Sequence, residues 1–108
     1  QIIQPIINLH LRDLQKAITD DKISILKADG IYGKLTDSAI KKIVIRQGSY
    51  GNVVSWVQCR IGATIDGKAG KRTRDAIIAY QYSHGISHDG VAGYNTIKTI
   101  LRQYGVNC

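Results

Sequence analysis

Apolar residues in this chain recur at intervals of three and four, in five separate stretches. Leu11, Leu14 and Ile18 make the first stripe; Ala39, Ile40, Ile43 and Val44 make the second. Val54, Val57 and Ile61 follow, then Ala76, Ile77 and Tyr80, then Ile97, Ile100, Leu101 and Tyr104. Such spacing gives a helix one apolar face, so an all-α fold of small helical bundles is expected. The predicted order is helix, loop, helix, a linker near residues 46–50, then helix, loop, helix, loop, helix.

The loops repeat one another. Asp29-Gly30-Ile31-Tyr32-Gly33-Lys34-Leu35-Thr36 aligns with Asp66-Gly67-Lys68-Ala69-Gly70-Lys71-Arg72-Thr73 and with Asp89-Gly90-Val91-Ala92-Gly93-Tyr94-Asn95-Thr96. Asp-Gly is a tight-turn pair: the carboxylate bonds the backbone ahead and glycine accepts positive φ. Thr stands where each helix should begin and is expected to serve as its N-cap. Gly85 and Gly105 occupy the places of glycine C-caps. Gln15 and Gln58 share one phase in their helices, and with Gln81 they are expected to bond the neighbouring loop backbone, because a half-buried amide needs partners. The first unit has a longer loop, roughly residues 20–27, and lacks a final loop and helix. The expected division is therefore a partial repeat over residues 1–46 and a complete one over 47–108.

Composition narrows the class. At 108 residues and 44% hydrophobic, the chain suits one compact domain or two very small ones sharing a core. A net charge of +7 favours polyanions, but the basic residues are scattered and read as a solvated surface, so charge selects no partner. Two cysteines cannot build a disulfide scaffold; Cys59 and Cys108 are expected to be free thiols. No stretch is long enough for a membrane span. The chain begins at Gln1, and a piece of something longer is expected.

Catalytic chemistry finds little support. The chain has no Glu, so the paired carboxylates of a glycosidase are hard to assemble. Asp13, Asp20, Asp21, Asp37 and Asp75 read as solvated. His10, His84 and His88 lack metalloprotease spacing, and each Asp-Gly loop offers too few oxygen ligands for calcium. No catalytic residue, metal or cofactor is expected.

The order of motifs resembles a known family. Val54-x-x-Val57-Gln58-x-x-Ile61, then Asp66-Gly67-x-x-Gly70-x-x-Thr73-x-x-Ala76-Ile77-x-x-Tyr80-Gln81, then Gly85-Ile86-x-x-Asp89-Gly90-Val91-x-Gly93-x-x-Thr96 is similar to the peptidoglycan-binding domain family of three-helix modules. Residues 9–46 look like a degenerate first copy, an arrangement resembling the C-terminal targeting region of phage endolysins and bacterial autolysins. The resemblance implies a non-catalytic module that binds bacterial peptidoglycan, through glycan and stem peptide and with anionic wall polymers as further partners. A hydrolase domain in the same polypeptide is implied too. The corresponding location is the cell wall or extracellular space, or the host cytoplasm before phage lysis. The alternatives are a basic helical nucleic-acid-binding domain, which would need clustered cations, and a small wall hydrolase. The scaffold positions being common to all units, ligand contacts are expected from what varies: Tyr32, Lys34, Arg72, Tyr94 and Asn95, with Tyr82 nearby. Trp56 lies off the main apolar face and could stack on a sugar or cover the seam between copies; the seam is favoured.

Overall fold

The computed structural model describes residues 7–108 and contains five helices in the expected order. These are α1 (Leu9–Asp20), α2 (Lys34–Ile40), α3 (Asn52–Ile61), α4 (Lys71–Ser83) and α5 (Tyr94–Gln103). Leu11, Leu14, Ile18, Val57, Ile77, Ile97, Ile100 and Leu101 are almost wholly removed from water. They belong to one core that continues across residue 46 and includes Ile40, Ile43 and Trp56. Each buried aliphatic contributes about 1.5–3 kcal/mol relative to an exposed one, so core packing carries most of the stability.

Helix ends follow local chemistry. Asn8 caps α1, its Oδ1 accepting from Leu11 N at 3.0 Å while its Nδ2 donates to the Tyr104 carbonyl at 2.9 Å. Gly85 and Gly105 adopt positive φ just beyond α4 and α5. Ile86 N and Val106 N reach back to Gln81 O and Leu101 O at 3.1 and 2.9 Å, closing both helices in the expected glycine-based manner.

Three expectations are corrected. Thr36, Thr73 and Thr96 are not N-caps: Gly33, Gly70 and Gly93 hold those positions, and each Thr is the third helical residue, buried. A glutamine amide claims each Thr hydroxyl, which explains the inward displacement. Secondly, α2 stops at Ile40 and does not continue through Val44. Ile45 exchanges two backbone hydrogen bonds with Ala92, at 3.0 and 2.7 Å, and that pairing draws the chain out of helical geometry. Val44 is left 55% exposed. Thirdly, Asp21 is not a free solvated carboxylate. It ends α1 with its backbone and caps α3 with its side chain, accepting from Asn52 N at 2.9 Å and Val53 N at 2.8 Å. Negative charge at a helix N-terminus is also favoured by the macrodipole.

The stretch after Ile45 is tied to the second loop. Gly48 N donates to Ala69 O at 2.7 Å, Ala69 N to Ser49 O at 2.8 Å, and Gly51 N to Gly67 O at 2.9 Å. The expected linker is thus a short pairing segment holding two loops together.

Candidate functional site

Three grooves of common construction lie beside the three Asp-Gly loops. A buried glutamine backs each loop. Gln58 Nε2 donates to Asp66 Oδ1 at 2.9 Å, Lys68 O at 3.0 Å and Thr73 Oγ1 at 3.0 Å, while its Oε1 accepts from Gly67 N at 2.9 Å. Gln15 makes the matching set with Asp29, Ile31, Thr36 and Gly30. Gln81 does so with Asp89, Val91, Thr96 and Gly90. The expected loop-bonding role of the glutamines holds, extended to the Asp and Thr side chains. Each Asp also accepts from the backbone N–H two residues on, as the Asp-Gly turn predicts.

In front of these supports the grooves differ in chemistry. The first, about 260 Å³, is bordered by Leu26, Lys27, Ile31, Lys34 and Leu35, and Leu35 is 76% exposed. The second, about 530 Å³, carries Lys68, Lys71 and Arg72 together with Thr64 and Asp66. The third, about 430 Å³, presents Ser87, Tyr94, Asn95, Thr99 and Arg102. Equivalent positions therefore read Lys34, Lys71 and Tyr94, then Leu35, Arg72 and Asn95. The second groove is both the largest of the three and the most cationic. Lys71 is paired with Asp75 at 3.0 Å, whereas Lys68 and Arg72 face no carboxylate within 4 Å among the described residues.

The predicted site residues divide accordingly. Lys34, Arg72, Tyr94 and Asn95 line grooves, one or two in each. Tyr82 is 73% exposed on α4, set against His88 edge-on at 5.5 Å, and lines none of the three. Two residues are turned inward, one wholly and one in part. Trp56 is 4% exposed, donates from Nε1 to His10 O at 2.9 Å and lies under the Arg60 guanidinium at 4.4 Å. It fills the seam between α1 and α3, so its ring is closed to a sugar. Tyr32 occupies the position held by buried Ala69 and Ala92, and packs against the core. Its hydroxyl is committed to Asp37.

Asp37, expected to be solvated, is instead held by two phenols. Its Oδ1 accepts from Tyr32 at 2.5 Å and from Tyr94 at 2.6 Å, and Lys41 approaches Oδ2 at 3.5 Å. Lys98 donates to the Tyr94 hydroxyl at 3.0 Å and lies over that ring. The two phenol donors, Tyr32 first, hold the Asp37 carboxyl down at about 2, while burial and the nearby carboxylate push the Tyr32 phenol upward. A carboxyl held below its unfolded value stabilises the fold above that value and loses the effect as pH falls through the folded one. Acid titration should therefore cost Asp37→Asn less stability than the wild type between pH 4 and about 2. Parallel acid melts of the two proteins, followed by circular dichroism, would show it; coincident pH profiles would refute the assignment.

A family model for the peptidoglycan binding domain matches residues 48–100. This segment contains the second and third loops with α3 and α4 entire. The chain is also similar to the N-acetylmuramoyl-L-alanine amidase CwlM of Mycobacterium tuberculosis, at 29% identity over 92 residues. That alignment covers 69% of this chain and 23% of the amidase, so the chain spans less than a quarter of that relative. No solved structure matches the chain.

Proposed function

Because residues 48–100 belong to the peptidoglycan-binding domain family, we propose that this chain holds a wall hydrolase on peptidoglycan without cutting the polymer itself. The observation that carries the reading is a coincidence of place: the segment matched by the family contains the largest and most cationic of the three grooves. Lys68 and Arg72, in no ion pair within 4 Å among the described residues, suit the acidic groups of stem peptides. Asn95 and the polar rim of the third groove suit amide and N-acetyl groups. Anionic wall polymers would add long-range attraction to a chain of charge +7.

The likeness to part of an amidase supports a catalytic partner in the same polypeptide, of the autolysin or endolysin kind. Tethering would raise that enzyme's effective concentration at an insoluble substrate. Its place of action would be the cell wall; no helix among the described residues is long and apolar enough to cross a membrane.

Co-sedimentation with purified Gram-positive sacculi tests the reading. At low salt most of the chain should pellet, and Lys68→Ala with Arg72→Ala should weaken binding by about tenfold. Sacculi turbidity should stay constant with this chain alone. Recovery of the chain wholly in the supernatant would overturn the reading.

A further inference from the structure

Two depressions meet along the second Asp-Gly loop. One is the cationic groove; the other is lined by Gly48, Ser49, Tyr50, Lys68, Ala69 and Gly70. Lys68 and Gly70 line both, so the two depressions adjoin as a trough bordered by Tyr50 in one half and by Arg72 in the other. Tyr50 is 83% exposed. A lone exposed aromatic is common on protein surfaces, but this one is mounted on fixed backbone. It pairs with Lys68 in an isolated bridge, and the flanking Ser49 and Gly51 are hydrogen-bonded to Ala69 and Gly67. Binding would cost the ring only its side-chain freedom, not that of a loop.

The floor beside the ring is open. A Cβ added at Gly48 or at Gly70 would meet nothing within 4 Å. An aromatic face next to a flat, side-chain-poor floor accommodates a saturated ring whose C–H bonds point at the electron-rich π-face and whose hydroxyls stay in water. The opposite end, with Lys68 and Arg72, accommodates carboxylates. The complementary ligand is ring-shaped and neutral at one end and acidic at the other. Peptidoglycan has that profile where a stem peptide leaves its sugar.

We propose that this trough reads the glycan–stem junction, with Tyr50 stacking on a sugar ring and Lys68 and Arg72 taking carboxylates of the attached peptide. The inference rests on the wall-binding reading and adds to it a contact residue and a ligand class. Calorimetric titration of the intact chain would use three probes: a soluble disaccharide–tetrapeptide, the disaccharide alone and the tetrapeptide alone. The joined fragment should bind at least about tenfold more tightly than either half. Tyr50→Ala should lose about tenfold in affinity for it, and Tyr50→Phe should stay within about twofold of wild type. Tyr50→Leu, which keeps bulk without a π-face, should behave like the alanine variant. Melting curves should coincide, since the ring is exposed.

Unchanged affinity in Tyr50→Ala and Tyr50→Leu would overturn the proposal, as would a Phe variant as weak as Ala. A single-stranded oligothymidylate displacing the fragment at physiological salt would also overturn it, because base and phosphate would then be the better fit. The two readings fail separately. A wild type that ignores sacculi removes the wall-binding reading, whereas sacculi binding indifferent to Tyr50 removes only the trough.

Discussion

Gln58→Glu should destabilise the protein by about 3–5 kcal/mol although it changes the side chain by a single group. The side chain is fully buried and its amide nitrogen serves three acceptors, Asp66 Oδ1, Lys68 O and Thr73 Oγ1. A glutamate would keep the accepting oxygen for Asp66 N and Gly67 N. It would, however, turn its second oxygen on a carboxylate, a carbonyl and a hydroxyl that all lose their donor. A domain of this kind has about 5–15 kcal/mol in all, so the loss is a large fraction of the whole. Urea unfolding would show a lowered midpoint with an unchanged slope. The deficit relative to wild type should shrink as pH is lowered, since the introduced acid can then be neutral. A midpoint equal to that of the wild type would remove the glutamine from its role as the loop's anchor.

Gly30→Ala is the second large effect, at about 2–4 kcal/mol. Gly30 has φ of +70°, a region costly for a residue with a Cβ, and that Cβ would stand 2.8 Å from the Asn8 carbonyl oxygen. The neighbouring chain cannot retreat easily. Asn8 N donates to Gly30 O at 3.1 Å, and Asn8 caps α1 while holding the end of α5. Gly33→Ala makes the contrast. Its backbone is extended and an added Cβ meets nothing within 4 Å, so the change should cost under about 1 kcal/mol, the scale of an N-cap preference. Thermal melts of the two variants should separate clearly; similar losses would mean that backbone conformation at residue 30 matters less than argued.

Much of this fold was legible because it is dictated locally. The helical stripes, the Asp-Gly turns, the glycine C-caps and the need of a buried glutamine for partners all follow from residues close in sequence. The illegible features depend on distant partners. Asp37 reads as solvated until Tyr94, 57 residues away, brings its hydroxyl. The end of α2 is set by Ala92, not by anything within α2. Thr after a glycine turn fits an N-cap by every local criterion, and only the glutamine from the preceding helix draws it inward. The candidate site was legible in part. Lys34, Arg72, Tyr94 and Asn95 stand at positions that vary between the three Asp-Gly loops, and they line grooves. Tyr32 is another such position, and its equivalents are buried alanines; Trp56, off the main apolar face and favoured for the seam, is covered there by α1. Lys68 escaped notice because it lies inside a motif whose other members are scaffold. Tyr50 escaped because a lone aromatic between Ser49 and Gly51 looks like linker.

Asp21 is at once the C-cap of one helix and, through its side chain, the cap of another, 31 residues on. Gly51 stays a glycine under its carboxylate, because a Cβ there would come within 2.8 Å of it. Such a shared residue couples two helix ends that lie far apart in sequence. A substitution at residue 21 is therefore felt at residues 51 to 53, so the end of α1 and the start of α3 cannot be tuned separately.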